Sequence, residues 1–356
     1  MRLNRFLLII AFLPLLLSCG GKQVIIDVPP PPIVDPGNPD NPDNGGGTPP
    51  AWEANRGKVV TPSGTGWTSS QVREGIVYYA FSGTDPVSGV KQEAFAVDLD
   101  LNNTKYVVQL TRSAPVAVTS DVHAKYKAIA TMNAGYEAGS IYIRINGTNF
   151  SSLPNTTIGT TGVLNWKSEA AFFCDGARSV RIAGTGDYIR PYKSPTEITA
   201  LINRQRTTLS QAPEKYLISS SPMLVDDFNP VGETFIDYSI SSWSSLNSEE
   251  PQYHQRKRHP RTAIALTENK HLILFVVDGR TTISNGMSAK ELTQFLVKYF
   301  NPQYALNMDG GGSTSLCVEG LGNAETHLVN KPCDSNTTRT DKQRARDTHF
   351  VVLEAS

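Results

Sequence analysis

The sequence has no excess of either charge: 33 lysines and arginines stand against 33 aspartates and glutamates in 356 residues. A chain without a basic footprint is not built to hold nucleic acid. Histidine and cysteine are scarce, at six and four, and no cysteine–histidine spacing reads as a zinc site. No Ser-His-Asp arrangement is readable, because Ser313 lacks the strand–turn–helix setting of a nucleophile elbow. There is no internal repeat. Strands and helices do not follow each other with the regular alternation that builds a parallel sheet. These absences leave a polar site on a strand-rich scaffold as the place to look for function.

At the amino end, Arg2 and Arg5 precede an apolar run over residues 6–17, which contains Pro14 and is too short for a membrane span. Leu16-Leu17-Ser18-Cys19 follows. Together these read as a bacterial lipoprotein signal over residues 1–18, cleaved before Cys19, with lipid added to its thiol and new amino group. Several acyl chains anchor stably where one binds only marginally. Gly20 and Gly21 carry no acidic inner-membrane retention signal. The expected location is the cell envelope, at the outer membrane of a Gram-negative bacterium. Residues 19–51 are dominated by Pro, Gly, Asn and Asp with hardly a core-forming side chain, so they read as a disordered tether. Residues 52–356 are expected to fold as one domain, a monomer that meets the membrane through the anchor alone.

Within that domain, residues 76–81, 93–99 and 106–110 read as strands. A helix over 121–127 feeds a strand at 128–132, which delivers Asn133-Ala134-Gly135-Tyr136. Ser194-Pro195-Thr196-Glu197 is a capping box opening a helix to about residue 206, with Ile198, Leu201 and Ile202 as its apolar stripe. Residues 262–277 read as a hairpin turning at Asn269-Lys270, its second strand apolar on both faces and so mid-sheet. Ser288-Ala289-Lys290-Glu291 opens another helix, with Leu292, Phe295, Leu296 and Tyr299 on one face. The fold class predicted is α+β, a mixed, strand-rich sheet with helices packed against it. Cys317 and Cys333 flank a loop and form a candidate disulfide.

The most informative run is Asn307-Met308-Asp309-Gly310-Gly311-Gly312-Ser313-Thr314. Three bare glycines let backbone N–H groups approach a ligand closely and take φ > 0. The run lacks the Gly-Lys-Ser/Thr ending of a Walker A loop, and it is not GxGxxG. Other polar groups sit just beyond strand ends: Asn133, Asp278 with Arg280, Asn307 with Asp309, Arg261 at the start of the hairpin, and Asn330 and Arg344 late in the chain. Arginines suit phosphate oxygens, and carboxylates suit an anomeric carbon, as base, nucleophile or cation stabiliser. Phosphate is an acidic leaving group and needs little help from a general acid. The set therefore suits cleavage of a sugar–O–phosphate bond.

These residues resemble the phosphodiester glycosidase family. Its Asn-Leu-Asp-Gly-Gly-Gly-Ser-Thr motif is similar to residues 307–314, with Met308 for leucine. Its Pro-Arg-Thr-Ala and Asp-Gly-Arg elements resemble Pro260-Arg261-Thr262-Ala263 and Asp278-Gly279-Arg280, and its Gly-Met-Thr-type helix entry resembles Gly286-Met287-Ser288. An Asn-Gly-Gly-Phe-type element is similar to residues 133–136, with Ala134 and Tyr136 as departures. Asn330, Pro332 and Arg344 match a late asparagine–proline pair and arginine. Ser220-Ser221-Pro222-Met223 departs where the family tends to have glycine before proline.

The resemblance implies hydrolysis of a sugar-1-phosphodiester, or of a phosphorylated glycan that carries one, with no cofactor. Asp309 or Asp278 would activate water or stabilise the anomeric cation. Arg261, Arg344 and the Gly310, Gly311 and Gly312 amides would hold the phosphate. Asn133, Asn307 and Asn330 would orient the sugar, and Arg280, Gly135, Ser313 and Thr314 would also bind substrate. Two other classes fit the same residues. One is a metal-dependent phosphodiesterase with Asp278, Asp309 and Asn307 as ligands for a divalent cation such as calcium or magnesium. The other is a surface lipoprotein that binds glycans without turnover.

Overall fold

The computed structural model describes residues 52–152, 165–185, 195–234, 236–333 and 342–355. The signal at 1–18, Cys19, the tether at 19–51 and Ser194 of the second helix's capping box lie outside the described residues.

The largest sheet has eight strands. Numbered along the chain, its spatial order is β1 (Trp67–Arg73), β2 (Ile76–Thr84), β3 (Lys91–Asp100), β14 (His271–Val277), β13 (Arg261–Leu266), β15 (Tyr304–Asn307), β11 (Met223–Asp226) and β12 (Asn229–Pro230). A five-stranded sheet runs β7 (Thr148–Ser151), β6 (Ile143–Ile145), β10 (Tyr216–Ser220), β8 (Ala170–Cys174) and β9 (Val180–Gly184). The third runs β16 (Leu316–Val318), β5 (Ala130–Asn133), β17 (Arg346–Glu354) and β4 (Tyr106–Ala117). Inner faces of all three sheets meet in one core, where Leu274 and Val276, Phe172 and Ile218, and Met132 and Phe350 pack together. The α+β expectation holds, with three sheets whose described strand pairs are all antiparallel where one mixed sheet was read from the sequence.

Each outer face carries a helix. On the eight-stranded sheet lies α4 (Ala289–Phe300), started by the expected capping box of Ser288 and Glu291 and stopped by left-handed Asn301 at φ 43°. Its Leu292, Phe295, Leu296 and Phe300 pack on Phe81, Ile273 and Phe275. This explains why β14 is apolar throughout: Leu272, Leu274 and Val276 face the central core, and Ile273, Phe275 and Val277 face α4. On the five-stranded sheet, α2 (Pro195–Gln211) seats Leu209 beside Phe173 and Leu217. It runs five residues past its expected end, because Leu209 extends the apolar stripe and nothing breaks the helix until Pro213. On the third sheet, α1 (Thr119–Tyr126) packs Val122 against Ala128 and Val351. A short helix, α3 (Pro251–Arg256), lies before β13.

The expected Cys317–Cys333 bond is absent. Both side chains are buried thiols outside any disulfide, as is that of Cys174. Cys317 is fixed in β16 opposite Thr131 of β5, whereas Cys333 lies in a loop and its carbonyl accepts Arg280 Nη1 at 3.2 Å.

Candidate active site

Strand ends from all three sheets converge on one place. β15 ends at Asn307 and leads into the glycine turn, β5 ends at Asn133, and β13 and β17 begin at Arg261 and Arg346. The segment before β8 brings Lys167. Asp309 is clasped through its backbone at the centre. Its N–H donates to Ala134 O at 3.0 Å, and its carbonyl accepts Asn133 Nδ2 at 2.7 Å.

The three asparagines expected to orient a sugar instead build the turn. Asn133 Oδ1 accepts from Thr262 Oγ1 at 3.2 Å and Ser315 N at 3.0 Å. Asn307 Nδ2 donates to Tyr136 Oη and Ser221 O, both at 3.0 Å. Asn330 accepts from Leu316 N at 2.9 Å and donates to Thr314 O at 3.0 Å and Asp278 Oδ1 at 2.9 Å. All three are buried. Gly135 is also internal, its Cα facing the Ile141 and Ile218 side chains.

The glycines serve close packing. A Cβ on Gly310 would stand 2.6 Å from Pro260 O. Gly311, at φ 63°, donates its amide to Pro260 O at 2.8 Å, so that N–H is not a phosphate donor. A Cβ on Gly311 would also come within 3.1 Å of Arg280 Nη2. Bare backbone thus lets a guanidinium lie directly on the turn.

Arg346 Nη2 is 2.7 Å from Asp309 Oδ2 and 3.2 Å from Glu137 Oε1, and its Nε donates to Ser313 Oγ at 2.7 Å. The contact to Asp309 is close but misaligned, so no hydrogen-bond donor points at Oδ2. Burial pushes the Asp309 carboxyl up to about 6; Arg346 opposes this and Glu137 adds to it. Glu137 behaves oppositely. Burial works to raise it, but Lys167 and Arg346 outweigh that and hold it below the usual carboxylate range. Its side chain is 60% exposed, against 7% for Asp309.

An aromatic wall flanks the pair. The Lys167 ammonium, almost wholly buried, lies over the Tyr136 ring at 4.3 Å and 3.2 Å from Glu249 Oε2. Tyr136 meets Trp166 at 5.9 Å and His254 at 6.0 Å between centroids. Burial, then the Arg261 charge, keeps His254 well below its ordinary value, and the same causes bring His259 to about 2. Both imidazoles are neutral hydrogen-bonding groups.

Three expectations need correction. Arg261 does not face a phosphate: it is buried, and its guanidinium donates to the carbonyls of Met287 at 2.8 Å, His254 at 2.6 Å and Lys257 at 3.0 Å. Asp278 does not stand beside Asp309. Its carboxylate accepts Asn330 Nδ2 and Lys331 N, both at 2.9 Å, and so braces the turn from behind. Arg344 is exposed and precedes β17; the guanidinium at Asp309 belongs to Arg346. Lys167, Arg346 and His254 carry no signal in the sequence, and Glu137 ranks there no higher than a surface acid near Asn133. Glu137 follows the 133–136 element directly, and that adjacency was the one signal available. Among the described residues no three His, Cys, Asp or Glu side chains gather to hold a metal ion. What does gather is two carboxylates of unlike acidity, joined by one arginine beside a cation-capped turn.

The sequence model described as phosphodiester glycosidase matches residues 126–353. Among solved structures, the chain is similar to the catalytic domain of a zebrafish N-acetylglucosamine-1-phosphodiester alpha-N-acetylglucosaminidase auto-inhibited by its pro-peptide. The identity is 18% and the TM-score 0.50, over 84% of this chain and 87% of that one. An exported protein from Burkholderia pseudomallei matches at 10% identity and a TM-score of 0.51, over 83% and 99%. At such identities the likeness shows a shared fold. None of the curated proteins compared with the chain matches it.

Proposed function

The chain belongs to the phosphodiester glycosidase family, and we propose that it hydrolyses the glycosidic bond of a sugar-1-phosphodiester, releasing free sugar and a phosphomonoester. N-acetylglucosamine is the sugar suggested by the zebrafish relative. The observation that carries this reading is the pair Asp309 and Glu137 on the single Nη2 of Arg346, with their acidities driven apart. Carboxyl groups pushed in opposite directions are the mark of divided roles.

Glu137, ionised and reachable from solvent, attacks the anomeric carbon. The C–O bond breaks, and its electron pair leaves with the phosphate, which is acidic enough to go unprotonated. Arg280 on Gly311 and Arg346 hold that phosphate. Asp309, lying next to the turn, then takes a proton from water. The resulting hydroxide attacks the same carbon and frees Glu137. A group with pKa near 6 is well matched to act as base at neutral pH. Asn133, which grips the Asp309 carbonyl, is a positioning residue.

The test is release of free sugar from a methyl N-acetylglucosamine-1-phosphodiester. Glu137→Gln and Asp309→Asn should each lower kcat by roughly 10²–10⁴. Asp278→Asn, which removes a brace, should leave the pH dependence in place. Full turnover by both carboxylate variants would remove them from the chemistry.

A further inference from the structure

We propose that His259 is a further catalytic residue, its Nε2–H donating to the phosphate oxygen that the sugar carbon releases. The proposal rests on the hydrolase reading above. Arg280 Nη2 meets His259 Nδ1 at 3.3 Å. A guanidinium can only donate, so Nδ1 accepts and the ring proton belongs to Nε2. That Nε2 has no hydrogen-bond partner among the described residues, and the side chain is half-buried. The two ring nitrogens are one carbon apart, and the same Arg280 guanidinium lies on Gly311. The Nε2–H therefore stands within reach of the phosphate that Arg280 holds.

Two glycines outside the carboxylate site fix His259 in place. Its backbone pairs with Met287 through bonds of 3.2 and 3.0 Å. A Cβ on Gly286, which has φ 79°, would collide with the His259 carbonyl. One on Gly279 would lie 2.7 Å from Pro260 N and 3.0 Å from the His259 carbonyl carbon. Bare backbone on both sides thus sets where the side chain begins. The ring stacks on His254, 5.7 Å away between centroids and 30° from parallel. His254 is held in turn by Arg261 Nη1, 3.4 Å from its Nδ1. Burial, then the charges of Arg261, Arg280 and Lys257, bring His259 to about 2, so the ring stays neutral. No proton is transferred. As the C–O bond breaks, its electron pair stays on the phosphate oxygen and the hydrogen stays on Nε2. A fixed dipole aimed at that oxygen gains most when negative charge grows there, so the contact strengthens in the transition state.

The experiment uses the full chain and follows free sugar from two diesters of N-acetylglucosamine 1-phosphate. One is the methyl ester; the other is the para-nitrophenyl ester, whose phosphate departs more readily. His259→Asn keeps an acceptor for Arg280 at the Nδ1 position but has nothing at Nε2, whereas His259→Gln returns an N–H to that place. His259→Asn should lower kcat on the methyl diester by roughly 10²-fold, and by a clearly smaller factor on the nitrophenyl diester. His259→Gln should recover kcat on the methyl diester to within about tenfold of wild type. Wild-type turnover by His259→Asn, the same loss on both diesters, or His259→Gln as slow as His259→Asn overturns the donor while leaving the hydrolase reading intact. Wild type inactive on both diesters overturns the hydrolase reading and the donor with it.

Discussion

Arg346 sits 2.7 Å from Asp309, yet burial keeps the Asp309 carboxyl pushed up to about 6, above the ordinary aspartate range. A salt bridge at that distance ordinarily drives a carboxyl down. Here enclosure by the glycine turn and β5 wins, because the ion contact is misaligned and shared with Glu137. The site thus holds a buried carboxyl pushed up to about 6.

That arrangement has a measurable cost in stability. The folded-state pKa exceeds the unfolded value of about 4, so folding takes up a proton between about pH 4 and 6, and stability falls as pH rises through that window. Above it, ionised Asp309 costs on the order of 3 kcal/mol. Asp309→Asn should therefore stabilise the protein at about pH 8, by less than this because Arg346 loses a partner, and give no gain near pH 4. Urea titrations at the two pH values check it; an equal change at both would contradict it.

Removing the arginine should move the pH profile. Arg346 holds the Asp309 carboxyl down, so Arg346→Gln should raise the acid limb of the pH profile for breakdown of the glycosyl-enzyme by roughly one unit or more, besides slowing the reaction. A slower enzyme with its acid limb unmoved would detach Asp309 from that limb.

The stereochemistry follows from spacing. Two oxygens at 2.7 and 3.2 Å from one nitrogen can be no more than about 6 Å apart. Carboxyl groups roughly 5–5.5 Å apart accompany double displacement, whereas inversion needs about 6.5–9.5 Å to admit a water. The sugar should be released with its anomeric configuration retained, as read by NMR before mutarotation. An inverted product would contradict the nucleophile assigned to Glu137.

The amino end makes a separate prediction. If Cys19 carries lipid, Cys19→Ala should shift the protein from the membrane fraction to the soluble one after lysis, with its specific activity unchanged. Equal partitioning of both forms would remove the anchor from the account.

How much of this could be seen in the sequence depended on whether the signal was local. The capping box at Ser288, the doubly apolar β14 and the 307–314 turn are short-range patterns, and each was legible. The five-stranded sheet was not: β6, β7 and β9 are three to five residues long and owe their pairing to distant partners. The site divides in the same way. Asp309 stands inside a motif, and that motif singles it out in the sequence. Glu137 and Arg346 stand 209 residues apart and acquire meaning only because β5 and β17 pair, with Asn133 opposite His349. Arg261, Asp278 and the asparagines look catalytic in sequence because they are polar residues at strand tips. Only three-dimensional partners show that they brace the turn.

The central claim is that the bond broken lies between sugar carbon and oxygen. Hydrolysis of a sugar-1-phosphodiester in heavy-oxygen water, with mass analysis of both products, tests it most directly. The label should appear in the free sugar, with none in the phosphomonoester. Label in the phosphate would mean attack at phosphorus and would contradict the roles given to Glu137 and Asp309.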